Sequence, residues 1–454
     1  MALDASMNRG RIQQDVDTIL SYNNPFKANV QFEITIHTTV STLGIQFVES
    51  VEYMRNYNKY ISDFIVLKFK MYLGTYAKAI YPLRDNLMCS IQKTYTDKAA
   101  SSDTVMYKMV ILKDGGTMES DQNIKKMTME ELNKAGMITV EAQLYLREVE
   151  GFRNTFVDGI YKNVTIKDML IGLLAKAKDN ISIEGLPVDY NIDVVEPNNN
   201  YVYENLVIPT GVTLDNLPNY IHGVDYGIYN GGVGMYLQHY NGKTCVFVYP
   251  LYSTDRFEKE TGDKLTFINA NTALYDTVEN NWYIDGNNIK ILCTSQAKII
   301  DMGNNDLINV GDGVISFSPS ELFEQNYEIT DDGIIMDKDN TLEGIKIVDR
   351  RDKISKTRYV GPQSNMYKFR SDILNKTLAT YQITWHFSNP DVIYCGMPCE
   401  YVYEDANYGI VKLNGTVQAV YSRYDKAKGT QSSVIVIKVM SFNVWADQSD
   451  NTQA

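Results

Sequence analysis

Val30-Gln31-Phe32-Glu33-Ile34-Thr35-Ile36-His37-Thr38-Thr39-Val40 is the stretch whose reading decides the fold. Val30, Phe32, Ile34, Ile36, Thr38 and Val40 fall on one face, and Gln31, Glu33, Thr35, His37 and Thr39 on the other. A period of two over this length is that of a half-buried antiparallel strand. Near the other end Tyr381, Ile383, Trp385 and Phe387 repeat the pattern, and Val434 to Val439 follow as a further strand. Strand-rich segments at both ends, with no catalytic constellation between them, predict two similar small sheets or barrels joined by different material. That layout suits a part of an assembly better than an enzyme. Phe32, Ile34, Ile36, Tyr381, Ile383 and Trp385 are expected at core or interface positions.

Working outward, residues 30–112 read as all-β. Ile65, Leu67, Phe69 and Met71 share a face within Ile61 to Met71; Leu87, Cys89 and Ile91 follow, then Val105, Tyr107, Met109 and Ile111. Lys113-Asp114-Gly115-Gly116 is a turn signal that closes this unit. From about residue 121 the pattern changes. Thr128 with Glu131 three positions later is a capping box. Thr165 and Asp168 repeat the device before a short amphipathic helix carrying Met169, Leu170, Leu173 and Leu174. Another helix is expected to start around Thr213 to Leu217, and Asn241-Gly242 between alternating runs marks a hairpin from Met235 to Tyr252. Residues 256–345 alternate short strands with Asn, Asp and Gly turns, as in Trp282 to Ile291. A basic loop at 350–358 leads to a helix around Tyr367 to Asn375, and strands are expected at 380–387, 399–404, 409–424 and 433–442. The fold class is therefore α+β, mostly β. Two small antiparallel tube-like β-barrel domains are expected at 1–120 and 346–446, with an α+β insert at 121–255, a β-rich segment at 256–345 and a flexible tail at 447–454.

A chain of 454 residues is too long for one compact core, which points to two to four domains. Its formal charge of −13 argues against a duplex-binding surface, which needs basic patches. A content of 44% hydrophobic and 11% aromatic residues is globular, not disordered. The 33 tyrosines fit either broad protein–protein contacts or the codon bias of a low-GC genome. Cys89, Cys245, Cys293, Cys395 and Cys399 are sparse and without a disulfide rhythm, as expected of buried thiols in a reducing cytoplasm. Arg9 and Arg11 precede no apolar run of the kind a signal peptide has, and no stretch reaches the roughly 18 apolar residues of a membrane helix. A soluble cytoplasmic product, without membrane insertion, is expected.

Motifs that could carry chemistry each meet a simpler reading. Cys395 and Cys399 have the spacing of a metal pair, but a structural zinc site needs four ligands and no second pair exists; His386 has no reason to converge with them. Gly231-Gly232-Val233-Gly234 lacks the Lys-Ser/Thr of a phosphate loop and precedes a strand, so a turn with positive φ is its use. Asp337-Lys338-Asp339-Asn340 has Val348 where a calcium loop needs Glu, and reads as a solvated turn. The run Arg350, Arg351, Lys353, Lys356, Arg358 is a solvated loop, a partner for an acidic neighbour, or a nucleic-acid contact. No nucleophile or metal signature appears, although a glycosidase pair of carboxylates would leave no spacing signature. Catalytic, cofactor-binding and metal-binding residues are accordingly expected to be none, and no cofactor is implied.

A resemblance adds to this. Val202-Tyr203-Glu204-Asn205-Leu206-Val207-Ile208-Pro209, Thr213-Leu214, Tyr226-Gly227-Ile228-Tyr229 and Val248-Tyr249-Pro250-Leu251 look like the middle of phage tail hub proteins. Asp391-Val392-Ile393-Tyr394-Cys395-Gly396-Met397-Pro398-Cys399-Glu400-Tyr401 is similar to a turn of that family, with Gly415-Thr416-Val417-Gln418-Ala419-Val420 following as a strand. The resemblance implies a virion structural protein of the tail or baseplate, with two tube-like barrels per chain. Related tip proteins of type VI secretion share the device. It implies a homotrimer whose six barrels meet a hexameric tail tube protein on one side and a trimeric central spike protein on the other. Other baseplate proteins would be neighbours, and genomic DNA would pass without specific binding during ejection. The alternatives are another baseplate or tail-fibre connector, or a cell-wall glycan-binding or glycan-cleaving tail protein.

Overall fold

The computed structural model describes residues 2–21, 30–95, 104–114, 126–183, 186–223, 226–240, 242–253, 263–269, 281–293, 296–301, 313–317, 324–330, 333–337, 358–359, 365–405, 409–425 and 430–444. Among these residues no helix is long and apolar enough to cross a membrane.

The first sheet is built from β1 (Val30–His37), β2 (Thr42–Gly44), β3 (Phe47–Asn56), β4 (Phe64–Tyr72), β5 (Leu87–Tyr95), β6 (Val105–Lys113) and β7 (Met137–Leu146). Its order is β1-β5-β6-β7-β4-β3, antiparallel throughout. β2 pairs with the other edge of β1, and only Ile45 and Gln46 separate β2 from β3. The sheet thus curls back on itself, and the return passes through a broken strand, not through a continuous ladder of hydrogen bonds. Residues at alternate positions fill the interior: Ile34, Ile36, Leu67, Phe69, Cys89 and Leu144 are buried together. Phe32 is half-buried and reaches Tyr424 across the interior, ring centroids 4.8 Å apart.

Two details depart from the sequence pattern. The first strand stops at His37, because the Thr38 hydroxyl accepts from the backbone N–H groups of Val40 and Ser41 and folds a turn. Val40, assigned to the buried face by its period, is 78% exposed. Between β4 and β5 the chain is helical over residues 73–86, where an all-β unit was expected. Gly74 permits this close packing, since a Cβ there would stand 2.0 Å from the Met129 carbonyl oxygen.

The middle block packs four helices on small sheets. Helix Met129–Lys134 carries the capping box of Thr128 and Glu131, and helix Ile166–Asn180 is capped by the Thr165 hydroxyl, which accepts from Asp168 N. Helices Glu148–Asn154 and Leu217–Gly223 complete the set. The strands are β8 (Gly159–Val164), β9 (Ser182–Ile183), β10 (Leu186–Pro187), β11 (Asn191–Val194), β12 (Tyr203–Ile208), β13 (Val233–Tyr240) and β14 (Lys243–Pro250). β13 and β14 form the expected hairpin, with Tyr240 opposite Lys243 and Gly242 at φ 78°. β11 adds to β14 in parallel.

The second sheet draws on β15 (Lys264–Asn269), β16 (Trp282–Asp285), β17 (Asn288–Cys293) and β18 (Lys298–Asp301), and on β23 (Ala379–Trp385), β24 (Pro398–Asp405), β25 (Gly409–Asp425) and β26 (Thr430–Val444). Between these groups, β19 (Gly313–Phe317), β20 (Glu324–Thr330), β21 (Gly333–Asp337) and β22 (Arg358–Tyr359) form a separate sheet. The main order is β23-β26-β25-β24-β15-β17, and β18 pairs with β23. Residues 294–297 alone separate β17 from β18. Here too the curl returns through a broken strand. Ile383 and Trp385 are fully buried, Trp385 meets Trp282 edge-on at 5.8 Å, and Tyr381 is half-buried. Helix Met366–Thr377 precedes β23.

The two curled sheets are one. β25 pairs with β26 and β24 in the second and with β3 in the first, Tyr421 standing opposite Met54. The pairing of this long strand with β26 shifts register between Asn414 and Gly415, where Met440 is an extra residue on β26. A Cβ at Gly415 would lie 2.0 Å from the Lys438 carbonyl oxygen, whereas one at Gly44 would meet nothing. Gly415→Ala is expected to cost about 1–3 kcal/mol in urea unfolding, and Gly44→Ala within about 0.5 kcal/mol of zero. Equal midpoints for the two variants would contradict this geometry.

Candidate functional site: the junction of the two rings

Where β3 meets β25, inward-facing positions carry charge. Residues opposite each other in an antiparallel pair share a face, so Arg55, opposite Val420, points into the protein. Lys93 lies two positions beyond Ile91 on the inner face of β5, and it too is buried. Neither cation can reach water, and each needs an anion.

Asp63 and Asp391 supply the anions from two different segments. Asp63 precedes β4 and is brought back by the β3–β4 hairpin; Arg55 Nε stands 3.2 Å from Asp63 Oδ1, close enough for an ion pair but not aligned as a hydrogen bond. Asp391 lies in the single turn Pro390–Val392, capped by the Asn389 side chain, which accepts from Asp391 N. Arg55 donates through one terminal nitrogen to the Pro390 carbonyl at 2.7 Å and through the other to Asp391 at 3.3 Å. Lys93 donates to the second Asp391 oxygen at 2.8 Å. The middle block adds Tyr236 of β13, whose hydroxyl donates to Asp63 at 3.1 Å. Gln238 on the same strand donates to the Ile393 carbonyl and accepts from Cys395 N. Two cations, two anions and a tyrosine thus tie β3, β5, β13 and the 389–395 turn together.

The ionisation balance follows from burial and pairing. Burial works against the Arg55 guanidinium, but Asp63 and Asp391 raise its affinity for the proton well above the ordinary value. Burial lowers Lys93, and Asp391 offsets part of this. Burial raises Asp63, opposed by Arg55 and the Tyr236 hydroxyl. The surrounding protein also pushes Asp391 upward, but Lys93 and Arg55 together win and hold its carboxyl well below the usual range. Its side chain, 43% exposed, is the one member that touches solvent appreciably. One guanidinium thus grips two carboxylates and holds their segments together.

A second joint lies where helix Leu217–Gly223 meets helix Met366–Thr377. His222 is buried, its Nδ1 accepts from Ile228 N, and its carbonyl accepts from the Asn365 side chain. The proton therefore sits on Nε2, which has no partner among the described residues. Burial lowers its pKa to about 4 from the usual 6.5.

Other sequence candidates fall apart from these joints. Cys395 and Cys399 are both buried thiols, but Gly396 at φ 72° breaks the backbone between them, and β24 starts only at Pro398, so they do not share a strand face. Burial raises Cys399. Among the described residues no group of three or more His, Cys, Asp or Glu could hold a metal. His386 is exposed and directs its carbonyl to Asn281. In the glycine run, Gly232 takes φ 76° and β13 begins at Val233. Lys338 to Asn340 and residues 350–357 lie outside the described residues. The sequence reading missed the junction entirely. Its one trace is a cation on the apolar phase of a strand, at Lys93 after Leu87, Cys89 and Ile91.

Residues 23–384 match the sequence model of a family described as the bacteriophage PBS1 gene 109 protein. Among solved structures, the fold is similar to a tail protein from Neisseria meningitidis MC58, with 12% identity, 90% of this chain and 96% of that chain covered, and a TM-score of 0.48. It is also similar to the 43 kDa tail protein of prophage MuSo2 from Shewanella oneidensis, at 10% identity, 90% and 96% coverage and a TM-score of 0.46. An E. coli component of the type VI secretion system aligns at 10% identity, over 89% of this chain and 77% of that one, with a TM-score of 0.42. No curated protein matches the chain in sequence.

Asp63→Asn keeps the shape but leaves Arg55 with Asp391 as its one anion in the cluster, and is expected to lower stability by about 1–3 kcal/mol in urea unfolding. A loss under about 1 kcal/mol would show that the pair carries little. The pH response has mixed signs. The depressed Asp391 contributes stability above the ordinary carboxylate range, which is lost as pH falls through its lower folded value. The raised Asp63 contributes in the opposite sense, below its ordinary value, and loses this as pH rises through its folded value. His222 stays neutral when folded while the unfolded chain takes up a proton, so stability falls as pH drops from about 6.5 to about 4, by up to about 3 kcal/mol. His222→Asn should flatten that fall; an unchanged slope in pH-resolved urea melts would refute the assignment.

Proposed function

Because the chain belongs to the family of the bacteriophage PBS1 gene 109 protein, we propose that it is a structural protein of a phage tail, a trimeric hub that joins the hexameric tail tube to the central spike. The observation that carries this reading is the fusion of two six-strand curls edge to edge through β3 and β25. A protein with one such unit per chain needs six copies to build a sixfold surface. A chain with two needs three, and the same trimer then offers threefold symmetry on its other side.

The device works only if the two units in a chain hold a fixed angle. Continuous strand pairing resists shear between them, and the buried charges at Arg55, Lys93, Asp63 and Asp391 resist their separation. Tyr57 N and Asn58 of the turn after β3 bond to the Gln418 carbonyl and side chain, adding a further brace. The role is geometric, without catalysis by this chain. Its partners would be two more copies of itself, the tube protein, the spike protein and other baseplate proteins, at the tail tip of the virion. The axial channel would let genomic DNA pass, and the chain's net charge of −13 disfavours adhesion of phosphates.

Electron microscopy of tails carrying a tagged chain tests the reading. Three copies on the tail axis, between tube and spike, are expected. Six copies, or a peripheral position, would reassign the chain to another baseplate or fibre part. A cell-wall clearing assay with purified protein is expected to stay blank; lysis abolished by one Asp or Glu substitution would overturn the non-catalytic role.

A further inference from the structure

The described apolar side chains of the N-terminal helix, Ala2–Ser21, cluster with residues of the second curl, and the helix also runs beside β25, the strand both curls share. The helix lies on the outer wall of the second. Along β15, Leu265 and Phe267 face the interior of the second curl, while Ile268 faces out; on β17, Ile291 faces in and Leu292 out. Ile268, Leu292 and Tyr283 of β16 form the seat, and Val16 and Ile19 fill it with help from Ile12 and Leu20. Positions 12, 16, 19 and 20 are one face of a helix. Asp15 closes the contact with Lys290 at 2.8 Å, and Lys290 also holds Asp285 at 2.9 Å.

This seat is a cluster of its own, continuous with neither main core. The helix can therefore leave as a unit without opening either curl. From Ser21 the chain reaches β1 through residues 22–29. Eight residues of chain span at most roughly 26–29 Å, which sets the reach within which a neighbouring seat must lie.

We propose that in the assembled trimer this helix docks on the second curl of a neighbouring copy, so that three exchanged helices strap the ring together. The inference rests on the hub reading above. In a ring of six alternating units, each first curl lies between its own second curl and that of the adjacent copy. Threefold symmetry then gives each adjacent copy an identical seat. Exchange preserves each contact of the helix while turning an internal clasp into a bond between chains, which is the economy of domain swapping. The occupant is therefore a second copy of residues 12–21, whose apolar face and Asp15 already match the seat and Lys290.

Co-expression of an Asp15→Cys chain with a differently tagged Lys290→Cys chain, followed by a short bis-maleimide, tests the exchange. The native thiols at 89, 245, 293, 395 and 399 are buried, so background coupling is low. Covalent species carrying both tags are expected, because in this mixture only a helix seated on another chain can be linked. A species with the mass of three chains that yields no doubly tagged product, while a single chain bearing both substitutions links only to itself, would overturn the exchange and leave the hub intact. Failure to find three-chain particles, even with spike protein present, would remove the hub reading and the exchange together. Deleting residues 2–21 is the independent check: dissociation at a concentration at least tenfold higher is expected, and unchanged assembly would refute the strap.

Discussion

A strand that leaves one sheet and serves another must keep the same face buried in both. β25 does this over seventeen residues, pairing with β24 and β26 and then with β3. The shared register places Val51, Tyr53 and Arg55 opposite Tyr424, Ser422 and Val420, so all six look into the protein. From this pairing comes a single wall where two closed units would otherwise meet only through loops. Arg55 is its consequence, a cation delivered to the interior by strand geometry.

The ion pairs around Arg55 are better understood as setting arrangement than as adding stability. Bringing charges out of water costs several kcal/mol per ion, and their attraction returns about as much only in good geometry. Apolar residues of the same volume would hold the wall together equally well. They would not choose a register. A slip of one residue between β3 and β25 would turn Arg55 outward and Met54 inward, leaving Asp63 buried without its partner. Lys93 and Asp391 impose the same condition on β5 and the 389–395 turn. The cluster makes wrong assemblies of four segments expensive.

Elements whose chemistry is local could be read from the sequence. The alternation at 30–37, the hairpin around Gly242, the caps at Thr128 and Thr165 and the strands after residue 379 are written in neighbouring residues. Membership in a sheet is not. β7 alternates Ile138, Val140, Ala142, Leu144 and Leu146 plainly enough, but it follows a capping box and falls within the 121–255 α+β insert of the sequence reading, although it completes the first curl. The helical crossing at 73–86 depends on Gly74 meeting Met129, a contact between distant segments. The junction was invisible because its four charges come from residues 55, 63, 93 and 391, and no spacing rule joins them.

Each curl is a split collar. A hoop of hydrogen bonds closed at every rung can alter its girth only by breaking one. A hoop interrupted once, as between Gly44 and Phe47, can alter it without breaking a rung. The gap in the first collar borders β3, the same strand that is fused to β25. In the hub proposed above, the strand that binds the two collars together would thus also bound the opening of the first.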